Sequence, residues 1–224
     1  MRMITHAMLI ALLAVLASLP LGAQTTVTLG SFSSYVVENG DQPYDKPIVY
    51  TSVRRSLPLG FHIGLWGSTG TEGGRELDYL VGWESKNFSM DVGYYAHAGG
   101  SSSNLVQVDL RCTYPFKKGN HSLELYVAGS AILPTNSTGD SGTFLRAGLS
   151  DNWAFHENTE FVQNIWIMRD SGIFKEERGF TFRYEASVEF KHRSVVFSPV
   201  VQVSLPINMT DKKTHIAFGM KIKM

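Results

Sequence analysis

Apolar and polar residues exchange places at every second position through most of this chain, and the connections between these runs alternate between long and short. Successive side chains of an extended strand point to opposite faces, so each run has one apolar and one polar side. In the clearest run Phe180, Phe182, Tyr184, Ala186, Val188 and Phe190 share one face. Thr181, Arg183, Glu185, Ser187, Glu189 and Lys191 share the other. A second run sets Val106, Val108, Leu110, Cys112 and Tyr114 against Gln107, Asp109, Arg111 and Thr113. The last sets Ile216, Phe218, Met220, Ile222 and Met224 against His215, Ala217, Gly219, Lys221 and Lys223.

A soluble sandwich alternates in the same way, so the connections decide between the two. Long ones fall at 38–46, 68–75, 98–103, 134–142, 170–179 and 206–213, and short ones at 56–60, 84–87, 116–120, 156–158 and 191–194. Long loops on one side and tight turns on the other are a property of transmembrane β-barrels. The predicted fold is all-β, a single antiparallel transmembrane barrel of roughly twelve strands. An even strand number puts both termini in the periplasm. Aromatics near strand ends (Tyr50, Phe61, Phe88, Tyr114, Phe144, Trp153, Phe155 and Phe180) are expected to form girdles at the membrane–water boundaries. Three stretches are mixed in phase, at 31–37, 48–55 and 161–169. In the last, Gln163 and Asn164 fall on opposite faces, and a bulge or a contact with a neighbouring subunit would each account for it.

Residues 1–23 read as a secretory signal peptide: Arg2 and His6 precede an apolar run at 7–19, and Leu21-Gly22-Ala23 supply small residues before Gln24. The run is short for a spanning helix, and no cysteine follows for lipid attachment. Residues 24–224 then form one domain. Formal net charge is +0, which argues against a generic nucleic-acid-coating role. The one cysteine, Cys112, rules out an internal disulfide framework and a cysteine-rich metal site. No cofactor is implied.

The first hundred residues carry Ser34-Tyr35, Gly40, Lys46-Pro47, Gly64-Leu65-Trp66-Gly67-Ser68, Glu76-Leu77-Asp78-Tyr79-x-x-Gly82 and Asp91-Val92-Gly93-Tyr94-Tyr95 in that order. This order resembles the TorF-type porins, small outer-membrane proteins, and implies a barrel and a pore without naming a substrate. The chain departs from the family pattern at Thr69, where the family has Asn, and at His97-Ala98-Gly99, where it has Tyr-Pro-Gly. It also has Asn39-Gly40 in place of an early Arg-Gly pair. The closing Gly219-x-x-Ile222-x-Met224 partly resembles the signal read by the barrel-assembly machinery, with Met224 where an aromatic is usual.

With the apolar faces toward lipid, the other phase lines the lumen. One arc then carries Glu76, Asp78, Glu84, Asp91, Asp109 and Glu124, and the opposite arc Arg146, Arg183, Lys191, Lys221 and Lys223. Arg111 lies among the acids, and Glu185 and Glu189 among the bases. Opposed walls of this kind would set ion preference. The pore-lining set expected to matter is Asp78, Asp91, Asp109, Glu124, Arg146, Arg183, Glu185 and Lys221. No catalytic or metal site is expected. His97 beside Ser101–Ser103 is the nearest approach to a nucleophile and base, but no Gly-x-Ser-x-Gly elbow occurs, and the remaining histidines lack metal-ligand spacing.

The expected protein is thus a non-enzymatic channel of the Gram-negative outer membrane for passive diffusion of small polar or charged solutes. Its partners would be outer-membrane lipid, the assembly machinery and those solutes. A closed structural or surface-binding barrel is the alternative, and a rim-located lipid hydrolase a further one.

Overall fold

The computed structural model describes residues 24–34, 46–70, 75–98, 104–135, 141–171, 179–209 and 213–224. The strands are β1 (Thr25–Phe32), β2 (Ile48–Ser56), β3 (Phe61–Gly70), β4 (Arg75–Glu84), β5 (Phe88–Ala98) and β6 (Leu105–Lys118). They continue as β7 (His121–Pro134), β8 (Gly142–His156), β9 (Thr159–Asp170), β10 (Gly179–His192), β11 (Val195–Ile207) and β12 (His215–Lys223). Each pairs antiparallel with its chain neighbour, and β1 pairs with β12 to close the barrel. The sheet therefore has no free edge.

The short turns are as tight as the sequence suggests. β6 passes to β7 through Gly119-Asn120, where Gly119 takes φ 57, and β10 passes to β11 through Arg193-Ser194, where Arg193 takes φ 54. Gln24 and Met224 lie at this same end: the Ser56 amide donates to the Gln24 carbonyl at 2.9 Å, and Val27 and Met224 exchange backbone hydrogen bonds at 2.9 and 2.8 Å. The long-loop sequences 35–45, 99–103, 136–140 and 172–178 lie outside the described residues.

Exposure fixes the two faces. The large exposed side chains fall on one phase of every strand, among them Val81, Leu110, Tyr114, Val127, Leu145, Phe180 and Phe218. This is the outer surface, and it is apolar. Phe61, Tyr114, Trp153, Phe155 and Phe180 lie on it as expected for girdle residues. Tyr50 and Phe144 do not. Both are buried on the inner face, because each has a fitted inner partner: the Tyr50 ring lies over Gly30, and Phe144 joins Leu105, Ile132 and Met168.

The mixed stretch at 161–169 resolves the same way. β9 keeps an unbroken register with β10 from Thr159 to Asp170, so no bulge shifts its phase. Gln163 faces outward and Asn164 inward, opposite Glu185. The irregularity lies across the turn in β8, between Ala154 and His156.

Inner-face glycines make room for rings. A Cβ on Gly148 would stand 2.6 Å from the Tyr126 ring and 2.7 Å from the Ile165 carbonyl oxygen, so the ring occupies the space a side chain would need. Gly129, on the outward phase of β7, is different, since its nearest neighbour, the Leu145 side chain, would be an ordinary 3.6 Å away. Gly148→Ala should lower unfolding stability in lipid vesicles by about 1–3 kcal/mol through overpacking, while Gly129→Ala should shift it by under about 0.5 kcal/mol. Urea titration of the folded band measures both.

Candidate functional site: the inner face

The inner phase carries most of the ionisable residues of the described strands and pairs several of them across one or two strands. Asp109 on β6 is the hub of one cluster. It accepts hydrogen bonds from Gln107 Nε2 at 3.0 and 2.9 Å, from Ser130 Oγ, and from Arg146 Nη2 at 3.1 Å. Arg146 also donates to Ser130 Oγ at 2.9 Å, so β6, β7 and β8 are tied together. Glu185 on β10 is the second hub, accepting from Lys221 Nζ at 2.8 Å and from Gln202 Nε2. Glu124 meets Arg111 at 2.5 Å, and that guanidinium sits 3.9 Å above the Tyr126 ring.

Asp91 completes the β5 side. Its carboxylate meets His62 Nε2 at 2.6 Å over Gly82, whose missing side chain leaves the gap in which the two meet. Asp91 also stands in register with Asp109, two carboxylates on adjacent strands, each held by a different partner. Asp78 is buried beside Glu76 on β4, and Arg183 is buried with its guanidinium 5.2 Å from the Trp166 ring. Asp78, Asp91, Asp109, Glu124, Arg146, Arg183, Glu185 and Lys221 thus all occupy inner-face positions.

The acidic and basic arcs are interleaved rather than segregated. Arg146 neutralises Asp109, Arg111 neutralises Glu124, and Glu185 neutralises Lys221, each within a strand or two. Opposite charges on neighbouring strands are brought within reach by the sheet, so they pair before they can build a field across the barrel.

Burial varies along the axis. Toward the long-loop end the inner side chains fill the interior: Ile48, Met168 and Thr181 are at most 1 % exposed, and Leu105, Ile132 and Phe144 pack with Met168. Toward the short turns the interior is wet. The Arg54–Glu84 pair, at 2.6 Å, is 47 and 49 % exposed, and Asn152 and Lys223 are exposed. On the inner wall of β1–β3, Phe32, Tyr50 and Trp66 form a stacked row with ring centroids 5.9 Å apart in each pair.

Gln107, Ser130, Gln202, His62 and this aromatic row are absent from the pore-lining set expected from sequence, although Gln107 is read there on the polar phase of its run. Strand parity alone could have found the first four, since each falls on the polar phase of its strand. The row depends on diagonal neighbours across strands, which needs the register. Among the described residues no group of three or more His, Cys, Asp or Glu is arranged to hold a metal ion. Ser101–Ser103 lie outside the described residues, while His97 is in β5 opposite Glu76.

No protein-family model matches the chain, and no curated protein does. Solved structures do. The KdgM porin in complex with disordered oligogalacturonate aligns with a TM-score of 0.55 at 10 % identity, covering 89 % of this chain and 98 % of that one. The COG4313 outer membrane channel from Pseudomonas putida F1 aligns at 0.55 and 13 % identity over 92 and 96 %. LpxR from Salmonella typhimurium aligns at 0.60 and 6 % identity over 90 and 99 %. At such identities the likeness is one of fold: these are small barrels of nearly the same extent as this chain.

The two kinds of ion pair should respond differently to truncation. Arg146→Met leaves Asp109 in a site where both partners are under a fifth exposed, and should cost about 2 kcal/mol of stability. Arg54→Met removes a solvent-screened pair and should cost less than about 0.5 kcal/mol. Unfolding in vesicles by intrinsic fluorescence separates the two.

Proposed function

We propose that the chain is a channel of the Gram-negative outer membrane, passing small polar or charged solutes through a lumen that is wide and wet at the short-turn end and tight near the long loops. The observation that carries this reading is the inversion of polarity: an apolar outer belt encloses an interior built from ion pairs. An interior needed only as filler could be apolar, whereas solvated ion pairs suit a polar passage. The likeness in fold to structures described as porins and channels supports the same reading, as does the resemblance of the first hundred residues to TorF-type porins. Short turns and both termini would face the periplasm, and the C-terminal strand would be read during assembly.

In this reading the passage narrows where Asp109 and Arg146 on one side, and Arg183 and Glu185 on the other, project from the wall. Paired charges discriminate weakly between cations and anions but offer donors and acceptors to replace a solute's hydration. Selectivity then comes from size and hydrogen-bonding capacity more than from net field. A closed barrel without conductance is the second reading, favoured by the buried inner side chains of the long-loop half.

Planar-bilayer recording of the refolded mature protein distinguishes them. A channel should give discrete steps with modest ion preference. Glu185→Gln, which leaves Lys221 without its carboxylate, should move the reversal potential in a salt gradient toward anions. A heat-modifiable, fully folded barrel that stays electrically silent would establish the closed reading.

A further inference from the structure

Among the described residues the outward phase carries several ionisable side chains, including Arg55 on β2, Arg169 on β9 and His192 on β10. Near the short turns of β7, β8 and β9 a group on that phase is joined by side-chain contacts. Asp151 lies on the outward phase of β8, in register with Leu123 and Gln163 and two residues from the exposed Trp153. A carboxylate on that phase is unfavourable in hydrocarbon unless it is satisfied. Here it is. His121 Nδ1 meets one oxygen at 3.2 Å, and Gln163 Nε2 donates to the other at 3.2 Å. The imidazole is held on its face as well, stacked on Trp153 with centroids 5.5 Å apart and planes within 7°.

This arrangement turns the acid inward and a base outward. Asp151 is 13 % exposed and His121 51 %. With Nδ1 engaged by the carboxylate, Nε2 on the far side of the ring points away from it. Lys118 is exposed on the outward phase of β6, in register with His121 across the Gly119-Asn120 turn. Elsewhere the outward short-turn level carries rings such as Phe61, Tyr114, Phe190 and Phe197, with Arg55 and His192 also on that phase.

We propose that Lys118 and His121, with Asp151, Gln163 and Trp153 fixing the imidazole, form a binding site for the phosphate of an anionic phospholipid in the leaflet that meets the short turns. The site rests on the reading that this barrel crosses a membrane, and is independent of whether it conducts. Charge complementarity selects the occupant. Lys118 supplies a cationic donor suited to a phosphate, the His121 ring lies beside it, and the carboxylate that would attract a choline or ethanolamine ammonium is shielded beneath them. A second copy of the chain would bring two Lys118 ammonium groups together, which disfavours self-association here.

The test is tryptophan quenching in phosphatidylcholine vesicles containing a small fraction of brominated phosphatidylglycerol. The wild type should show phosphatidylglycerol enriched about fivefold over its bulk fraction at the quenched indole. Lys118→Gln with His121→Gln should abolish the enrichment, and Asp151→Asn should reduce it while Lys118 remains. A bulk-level phosphatidylglycerol fraction around the wild type, or undiminished enrichment in the double variant, would overturn the site. Loss of the enrichment on adding inorganic phosphate would reassign it to free phosphate. Quenching by brominated phosphatidylcholine reports insertion separately: its absence in the wild type would fail the membrane reading, not the headgroup preference.

Discussion

Every backbone amide and carbonyl of a segment surrounded by hydrocarbon must find its partner within the protein, and the β1–β12 pairing is what makes that possible here. An open sheet of these strands would present two unpaired edges to lipid. Closure removes them, and the remaining features follow from it. The chain must alternate in polarity because a closed sheet has only an inside and an outside. The turns on one side must be tight because consecutive strands are immediate neighbours all the way round.

Closure also creates an interior that has to be dealt with. This barrel uses two devices. Glycines on the inner wall let rings lie close to the sheet, as at Gly30 beneath Tyr50 and Gly148 beneath Tyr126, so bulky side chains occupy little of the lumen. Charges are matched with their nearest opposite neighbour, so polar side chains can be inside without leaving isolated ions. Both devices operate between strands one or two apart.

Strand phase and loop rhythm were legible in the sequence because they are local. The β6, β10 and β12 alternations can be read one residue at a time, and the structure keeps them. What was not legible depends on register. Tyr50 and Phe144 look like girdle residues by position in the chain, yet they face inward, because the strands they sit on run in the opposite phase from that expectation. Gln163 breaks the phase pattern of its own run, and its hydrogen bond to Asp151 is visible only once β8 and β9 are placed side by side. The interleaving of acids and bases was likewise hidden. Arcs drawn from strand order describe where charges lie around the circumference, but not which of them touch.

The pairing order has a kinetic consequence. All strand contacts except one join chain neighbours, so hairpins can form in sequence with little loop-closure entropy at each step. The exception spans nearly the whole chain, and its register, Thr28 to Phe32 against Lys223 to Gly219, is among the shortest in the barrel. The barrier to folding is therefore concentrated in one late event, the meeting of the first strand with the last. Until it occurs, a nearly complete sheet carries two open edges, and a template that pairs transiently with either edge would act as a catalyst of closure.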